Sequence, residues 1–328
     1  MSATAVIPHW NRRDLLESLL PGLREQTNPF DQIIVVDNGS TDDSADFAEN
    51  HGARVLRLDR NFGFAAAVNR GIEQSKSDWI AILNNDVTLD RAWLATLVQT
   101  AEAHNADFAS GKILSAHDPK TIDGTFDEIS RAACACRCGA GKPDSPLWNE
   151  PRRIRIAPMT AAIFRRQLFE SVGFLDERFV SYMEDADFGL RCSILGRTGV
   201  YVPSAIAWHR GSSTLGAWTS DTVRSISRNQ VLLAAKHFGG QPRWPIVAGQ
   251  LLWGLLALRH GRGVAWLAGK FAGWKAARRK TRRMSNGISA PADAVRVILE
   301  ASEEEIYRLG TRTGFDAYWR AYFWLSRR

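Results

Sequence analysis

The sequence predicts an α/β protein with a mostly parallel central sheet flanked by helices and with a C-terminal helical extension. In the first hundred residues, short apolar runs alternate with helical stretches at 12–26, 41–50 and 64–75. Because strands that alternate with helices pair in parallel, this order predicts a sheet that is covered on both faces. The apolar runs are rich in Val, Ile and Leu, as buried strands are, and their sequences are TAVIPHW, QIIVVDN, ARVLRLD and WIAILNND.

Length and composition set the scale of the fold. The chain has 328 residues, of which 45% are hydrophobic and 23% are charged, so it can bury a sizeable core and is not disordered. We predict an α/β domain over residues 1–240, divided into halves at 1–112 and 113–240. Residues 241–328 are predicted to form a helical, basic extension.

Positive charge is concentrated towards the C-terminus. The formal net charge is +7, yet no Asp or Glu occurs between Asp221 and Asp293. Within that gap, residues 259–283 contain nine Lys or Arg. A segment with charge of one sign indicates an anionic partner, either a membrane surface or a nucleic acid.

Polar and acidic residues follow each of the predicted strands, at 8–11, 37–40, 60–61 and 84–86. In parallel sheets, ligands bind beyond the carboxyl ends of the strands. Taken alone, residues 37–40 are also typical of a turn in which Ser40 caps the next helix. Residues 84–86 alone are likewise typical of a turn. Four polar ends at one edge of a sheet favour a binding site over four unrelated turns.

The N-terminus and the cysteines indicate a reducing compartment. The chain enters a strand-like run at 4–10 without the features of a secretion signal, so we expect the body to stay in the cytosol. Four cysteines are too few for a disulfide scaffold in a chain of this length. Cys134, Cys136 and Cys138 form a cluster, but no clear fourth ligand follows them, and zinc is the less favoured interpretation.

The middle of the chain holds further candidate groups after a long segment without periodicity. Residues 115–150 are predicted to form a long loop over the site. Glu184, Asp185 and Asp187 then open a predicted helix. These carboxylates either stabilise the helix N-terminus or supply a general base, and the residues alone leave both interpretations open. His209, at a strand end, is either a packed histidine or a metal ligand.

Six motifs resemble those of the family 2 inverting glycosyltransferases with the GT-A fold, and within them the rhamnosyltransferase-like branch. The similarity runs from about residue 4 to residue 240, and the helical tail resembles the same branch more weakly. Six motifs in the family's order are far more specific than any one of them. The motifs are IPHWN, IIVVDNGSTDDS, RNFGFAAAVNRGI, WIAILNNDV, GFLDERFVSYMEDADFGLR and VPSAIAWHRGSS.

The resemblance implies a nucleotide-sugar-binding half at 1–112 and an acceptor and catalytic half at 113–240. Asp37 would contact the base or ribose of the donor. The strand end at 8–11 and the loop at 61–64 would frame the nucleotide. The donor-site residues that the resemblance implies are Pro8, Asn11, Asp37, Asn38, Asn61, Gly63, Asn69 and Asn85.

The resemblance also implies a divalent cation, Mn²⁺ or Mg²⁺. Asp86 matches the final acid of the family's DxD-type motif, His209 matches its second metal ligand, and Asn84 departs from the motif's first Asp. Carboxylate and phosphate suit Mg²⁺ or Mn²⁺, and imidazole favours Mn²⁺. Asp185 matches the catalytic base that deprotonates the acceptor hydroxyl, and Glu184 would orient the acceptor.

The extension is predicted to contact a membrane without crossing it. Its apolar run at 244–258 has fifteen residues, fewer than the roughly 20 that span a bilayer. The basic stretch after it mixes Trp, Phe and Leu with Lys and Arg, as an interfacial amphipathic helix does. The alternative is a packed helical subdomain with a solvated basic face. We expect a peripheral location on the cytoplasmic face of the inner membrane.

The last segment is predicted to form helices that are capped near Ser289 and Ser302. We assign it no catalysis, and we expect its aromatic side chains to pack or to rest at an interface rather than bind sugar. These are Tyr318, Trp319, Tyr322, Phe323 and Trp324.

The predicted function is sugar transfer, with dTDP-rhamnose as the favoured donor and a hydroxyl of a lipid-linked or envelope saccharide as the acceptor. A UDP-sugar donor is the alternative within the same fold. A nucleotidyltransferase would show a Gly-rich basic phosphate loop near the first strand, which the sequence IPHWNRRD lacks. A non-catalytic binder of membrane or nucleic acid would leave the acidic strand ends without a role, and we expect no nucleic-acid partner.

Overall fold

The computed structural model describes residues 2–211, 218–278, 288 and 290–326. The strands are β1 (Ala3–His9), β2 (Gln32–Asp37), β3 (Arg54–Arg57), β4 (Trp79–Leu83), β5 (Val87–Leu89), β6 (Phe108–Ser115), β7 (Ile122–Gly124), β8 (Asp127–Ile129), β9 (Ala135–Arg137), β10 (Arg152–Ile154), β11 (Ala161–Arg165) and β12 (Gly199–His209). The helices are α1 (Arg13–Arg24), α2 (Ser44–Asn50), α3 (Phe64–Gln74), α4 (Trp93–Ala103), α5 (Arg166–Val172), α6 (Glu184–Ile194), α7 (Ser220–His237), α8 (Arg243–Arg259), α9 (Gly263–Ala277), α10 (Ala292–Thr313) and α11 (Ala317–Ser326).

One large sheet organises the first two thirds of the chain. Its strand order is β10-β12-β6-β11-β4-β1-β2-β3, with β5 paired to β12 and β7 paired to β6. The pairs β1–β2, β1–β4, β2–β3 and β6–β12 are parallel, whereas β11 runs antiparallel between β4 and β6. The predicted α/β class with a mostly parallel sheet is therefore confirmed. The domain boundaries at residues 112 and 240 stay predictions. The first of them falls inside the continuous strand β6.

The alternation of side chains along β1 builds two cores, one on each face of the sheet. Ala5 and Ile7 join the core that α1, α2 and α4 cover, while Val6 joins the core that α3, α5 and α6 cover. Successive strand residues point to opposite faces, so a strand buried on both sides is apolar over most of its length. On α1, Leu16 and Leu20 lie one turn apart against the first core, and each such leucine contributes roughly 1.5–3 kcal/mol.

The segment at 115–150 differs from the prediction. It contains β7, β8, β9 and a short 3₁₀ turn at 146–148, and β8 pairs with β9 as a separate hairpin. Each of these strands has three residues, which is too short to produce a periodic pattern. The segment is therefore a folded part of the domain rather than a long irregular loop.

Two predicted helix caps are also corrected. Ser40 does not cap α2, because that helix begins at Ser44 and the Ser40 hydroxyl accepts a hydrogen bond from the Asn11 N–H at 2.7 Å. Ser302 lies inside α10, where its hydroxyl accepts a hydrogen bond from the Ile129 N–H at 2.7 Å. The predicted cap at Ser289 lies outside the described residues.

The C-terminal helices pack onto the α/β domain through small residues. A Cβ atom at Gly269 would lie 2.4 Å from the Arg224 carbonyl oxygen, and one at Gly273 would lie 2.4 Å from that of Arg228. Only glycine therefore allows α9 to approach the backbone of α7 this closely. Among the helices in the described part of the chain, none combines the length and apolarity needed to cross a bilayer.

Candidate active site

A cavity of about 710 Å³ opens beyond the carboxyl ends of β1 and β4, a volume typical of small-molecule sites. Its lining includes the strand ends of the N-terminal half, the β8–β9 hairpin, the loop into α6, the end of β12, α7 and the C-terminal helices. Lining residues with candidate roles are Pro8, His9, Asn38, Asn61, Gly63, Asn85, Asp86, Asp127, Arg137, Glu184, Asp185, His209, Trp218, Trp253, Leu256, Tyr318 and Trp319.

Asp86 and His209, the two predicted metal ligands, are in contact. The His209 Nε2 atom lies 3.1 Å from an oxygen of Asp86. This contact results from the antiparallel pairing of β5 with β12, in which His209 is the register partner of Val87. Burial lowers the pKa of His209, but hydrogen bonds to Asp123 and Asp86 outweigh it and raise that pKa to about 9.

Asp123 supports His209 from behind, a role that the sequence did not indicate. An oxygen of Asp123 lies 2.9 Å from His209 Nδ1, which fixes the imidazole ring and leaves Nε2 facing Asp86. A carboxylate behind a histidine is the usual support of a metal-bound imidazole. The donor set of Asp86 and His209 therefore fits Mn²⁺ or Mg²⁺. Within the described residues no group of three or more His, Cys, Asp or Glu is arranged to hold a metal, so a cation would need further ligands.

Glu184 and Asp185 lie at the first turn of α6 and face the cavity. Burial and then the charge of Asp185 raise the pKa of Glu184 to about 8, and the Glu184 Oε2 atom has no hydrogen-bond partner among the described residues. Burial also raises the pKa of Asp185, while Arg137 and backbone N–H groups oppose that rise. Of this pair we therefore assign the proton to Glu184, since the charge of Arg137 favours the ionised form of Asp185.

The loop before α6 has a constrained backbone. Val180, Tyr182 and Met183 have positive φ angles of 64°, 73° and 66°, which are uncommon for such side chains. The buried Asn229 on α7 donates its amide N–H groups to the carbonyl oxygens of Phe179, Ser181 and Tyr182 at 2.7–2.8 Å. Strained backbone persists where surrounding contacts hold it, and here α7 fixes the segment that presents Asp185.

Arg137 lies among three carboxylates of the site. Its guanidinium is 3.6 Å from Asp123 and 3.7 Å from Asp127, and its charge stabilises ionised Asp185. Burial raises the pKa of Asp127 to about 7. Arg137 thus connects the residue that supports His209 to the residue predicted to act as base. It belongs to the CACRC cluster, which drew attention in the sequence only for its cysteines.

Asn38, Asn61 and Gly63 form one hydrogen-bonded unit at the donor end. The Asn38 amide donates to Asn61 Oδ1 at 3.0 Å and to the Gly63 carbonyl at 3.1 Å. Gly63 has a φ of 88°, and a Cβ atom there would lie 2.6 Å from the Val180 carbonyl oxygen. Glycine at this position allows the 61–64 loop to contact the loop before α6.

His9 and Asn85 meet where β1 and β4 end. The Asn85 amide donates to His9 Nδ1 at 3.0 Å, and burial lowers the pKa of His9 to about 4. The imidazole is therefore neutral, with its proton on Nε2, an atom that has no hydrogen-bond partner among the described residues. His9 belongs to the strand end at 8–11 that was predicted to frame the nucleotide, and it lines the cavity.

Three predicted donor-site residues do not line the cavity. Asn11 accepts a hydrogen bond from the Thr41 N–H, and Asp37 accepts one from the Ser40 N–H. Asn69 is buried on α3 and exchanges hydrogen bonds with the backbone of Leu175, both at 3.0 Å. The role of these three residues in donor binding stays a prediction.

Aromatic side chains of the C-terminal segment, together with Trp218 just before α7, form an aromatic wall of the cavity. Trp218 and Trp253 stack with ring centroids 5.6 Å apart, and Tyr318 packs edge-on against Trp319. The sequence predicts packing for Tyr318 and Trp319, and both pack, but they also line the cavity. Periodicity could not reveal this, because these residues reach the site only when the tail folds back over the domain.

The family model described as Glycosyl transferase family 2 matches residues 4–173. The chain is also 28% identical over 269 residues to N-acetylglucosaminyl-diphospho-decaprenol L-rhamnosyltransferase of Mycobacterium tuberculosis. That alignment covers 74% of this chain and 87% of the relative.

Two solved structures are similar in fold. GalNAc-T7 with UDP, GalNAc and Mn²⁺ has a TM-score of 0.60 at 16% identity, and the match covers 83% of this chain and 55% of that chain. The mannosyltransferase PcManGT from Pyrobaculum calidifontis, in complex with GDP-Man and Mn²⁺, has a TM-score of 0.54 at 16% identity. That match covers 98% of this chain and 85% of PcManGT. This chain thus spans about half of GalNAc-T7. At such identities the likeness concerns the fold alone.

Proposed function

The chain belongs to glycosyl transferase family 2, and from this membership we propose that it transfers L-rhamnose from dTDP-rhamnose, with inversion, to a lipid-linked or envelope saccharide. That it is a glycosyltransferase with the GT-A fold is confirmed, as the six motifs predicted. The name of the mycobacterial relative supports rhamnose and a diphospho-polyprenol acceptor. A UDP-sugar remains the alternative donor.

The observation that carries the proposed chemistry is the presence of two different kinds of acidic site in one cavity. Asp86 with His209 forms the first, and Asp185 with Glu184 forms the second. The first is suited to a diphosphate through a cation, and the second to a hydroxyl. A sugar bound between them would have its leaving group and its nucleophile on opposite sides, as inversion requires.

In the proposed reaction, Asp185 accepts the proton of the acceptor hydroxyl. The acceptor oxygen forms a bond to the anomeric carbon as the bond from that carbon to the diphosphate oxygen breaks. The nucleoside diphosphate leaves with the bonding electron pair. Protonated Glu184 donates a hydrogen bond that orients the acceptor, and a positioned base such as Asp185 contributes about 10²- to 10⁴-fold to the rate.

We propose Asp86 and His209 as the protein ligands of a divalent cation, Mn²⁺ or Mg²⁺. The bound cation would neutralise negative charge on the leaving diphosphate. Because the pKa of His209 is raised to about 9, a cation would bind at Nε2 by displacing the proton there, while Asp123 holds the proton on Nδ1. Asn84, where the family motif has Asp, leaves Asp86 as the main charged ligand, so the diphosphate itself would complete the coordination.

We propose the aromatic wall as the acceptor end of the cavity. Trp253, Tyr318 and Trp319 line this part of the cavity with aromatic rings, on which the C–H face of a sugar ring can stack. Trp218 stacks on Trp253 and on His260 and supports this wall. A lipid-linked acceptor also agrees with a peripheral position on the cytoplasmic face of the inner membrane.

The test of the proposed function is transfer by the purified full chain across a panel of nucleotide sugars. The panel contains dTDP-rhamnose, UDP-glucose, UDP-GlcNAc and GDP-mannose, with a bacterial lipid extract as acceptor and with Mn²⁺ or EDTA. We expect consumption of dTDP-rhamnose with Mn²⁺, none with EDTA, and rhamnose in the lipid fraction. Preference for a UDP-sugar would replace the donor, and failure to consume any nucleotide sugar would overturn the proposal.

Replacing Asp123 with Asn is expected to weaken Mn²⁺-dependent binding of dTDP by about 10- to 100-fold, because the imidazole of His209 loses its anionic support. Isothermal titration of dTDP with and without Mn²⁺ measures this. Asp293→Asn, at a carboxylate whose side chain is 82% exposed, is the matched control and should bind like the parent. Equal affinity of Asp123→Asn and the parent would contradict the assigned role of Asp123.

A further inference from the structure

Helix α8 has an apolar face that packing within the described chain leaves uncovered. It consists of Trp244, Val247, Leu251, Leu255 and Leu258, which are 46% to 65% exposed. Spacings of three and four residues place these side chains in one stripe along the helix. Single exposed apolar residues are ordinary, but a continuous stripe is typical of an interaction surface.

Helix α9 has a second stripe of the same kind, made of Val264, Leu267, Phe271 and Trp274, which are 48% to 83% exposed. The two helices form a hairpin that is joined by three residues, 260–262. The opposite side of α9 is committed to α7 through its glycines. We call the two stripes together the outer face.

The charged residues on α8 and α9 are all positive. Arg243 and Arg259 at the ends of α8, and Lys275 and Arg278 at the end of α9, are exposed, and no acidic residue occurs from 222 to 292. The Lys275 ammonium lies 4.5 Å from the ring centre of Phe271 and the Arg278 guanidinium 3.4 Å from that of Trp274. Long cationic side chains that lie along aromatic rings, with their charge at the rim, suit the boundary between acyl chains and headgroups.

We propose that the outer face docks on an anionic bilayer, with α8 and α9 lying in the plane of its surface. The helices have 17 and 15 residues, which is too short to span the roughly 30 Å hydrocarbon core. An apolar stripe whose own helices carry only basic charges complements anionic headgroups above acyl chains. A protein partner would have to match the same rim with acidic residues around an apolar groove.

The inference rests on the proposed lipid-linked acceptor for its link to catalysis. Trp253 and Leu256 on α8 line the cavity, whereas Leu251, Leu255 and Leu258 face outward. One helix, about 10 Å across with its side chains, therefore separates the bilayer surface from the acceptor end of the cavity. At the hairpin turn, His260 stacks on Trp218 of the cavity wall at 4.0 Å.

Cosedimentation of the full chain with vesicles tests the docking without donor or acceptor. We expect binding to phosphatidylglycerol-containing vesicles that weakens with salt, and little binding to pure phosphatidylcholine. The double variant Leu255→Glu, Leu267→Glu should bind more than about tenfold more weakly, because its charges oppose insertion. Each of Arg259→Gln and Lys275→Gln should weaken binding about fivefold, the equivalent of about 1 kcal/mol.

Val297→Glu is the matched control, since Val297 is 63% exposed on α10, away from the outer face. It should bind vesicles like the parent, and all variants should bind dTDP with Mn²⁺ as the parent does. The proposal is overturned if the parent ignores anionic vesicles or if Val297→Glu binds as weakly as the double variant. It is also overturned if light scattering shows that the parent is a dimer that does not bind vesicles, and that the double variant no longer dimerises. If the parent binds vesicles but transfers no sugar, the docking proposal is supported and the proposed function is overturned.

Discussion

Replacing Asp185 with Asn is expected to lower the transfer rate by about 10²- to 10⁴-fold while donor affinity stays at the parent value. The amide keeps the shape of the side chain, but it cannot accept the proton of the acceptor hydroxyl. In the proposed reaction Asp185 acts on the acceptor hydroxyl, whereas Asp86 and His209 act on the donor diphosphate, so we expect the substitution to leave donor binding unchanged. Steady-state transfer together with titration of the donor measures both quantities.

Two comparisons sharpen this test. Glu184→Gln should reduce transfer far less than Asp185→Asn, because Glu184, with a pKa of about 8, is already neutral at pH 7. Asp221→Asn removes an exposed carboxylate from the first turn of α7 and should leave transfer unchanged. If Asp185→Asn keeps transfer within about tenfold of the parent, the base is another group. If Glu184→Gln is the more damaging change, the roles of the two residues are reversed.

Replacing Asp187 with Asn is expected to lower the free energy of unfolding by about 3–5 kcal/mol. Asp187 is fully buried and lies 3.0 Å from Arg191 and 2.7 Å from both Lys236 and His237. The change leaves the buried guanidinium of Arg191 without its counter-charge, and the desolvation of that cation is no longer compensated. Because Arg191 and Lys236 belong to α6 and α7, the variant also loosens the two helices that hold the loop before Asp185.

The stabilising effect of Asp187 should depend on pH in one direction. Burial alone would raise its pKa, but the charges of Arg191 and Lys236 and the hydrogen bond to His237 hold it well below its usual range. A depressed pKa stabilises the fold above the unfolded-state pKa of about 3.9, and this contribution is lost as pH falls towards the folded-state pKa. The stability difference between parent and Asp187→Asn should therefore be constant from about pH 5 to 8 and shrink below about pH 4.

Urea unfolding of both proteins across this pH range measures the effect. Asp46→Asn is the control, because Asp46 forms an exposed ion pair with Arg57, and such pairs contribute about 0–1 kcal/mol. Equal stability of parent and Asp187→Asn at pH 7 would show that the network does not hold α6 to α7. If the stability difference between parent and Asp187→Asn increased as the pH fell, this would contradict the lowered pKa of Asp187.

Features that depend on local periodicity were predictable from the sequence. Strand and helix positions in the first hundred residues follow from apolar runs and helical spacing, and each predicted helix matches the structure within about three residues. The polar ends of β1 and β4 were predictable because a parallel sheet brings its carboxyl ends to one edge. Even so, strands of three residues, such as β7, β8 and β9, left no pattern to detect.

The tertiary structure decided which distant residues meet. Asp86 contacts His209 because β5 pairs antiparallel with β12, and Asp123 supports that histidine because β7 pairs with β6. Strand register of this kind depends on the whole sheet and not on the residues next to the ligand. Arg137 lies near Asp185 because the separate β8–β9 hairpin packs against α6.

The C-terminal helices show most clearly what the sequence determines and what only the tertiary structure decides. The sequence by itself determined that residues 244–258 form an apolar helix and that the stretch after it is basic. It could not determine which side of α8 packs, because apolar residues occur around the whole helix and a pattern without polarity has no preferred face. Packing against the domain turned Trp253 towards the cavity and left Leu251, Leu255 and Leu258 exposed. Whether a helix face is buried depends on which residues pack against it, and only the folded chain brings those residues together.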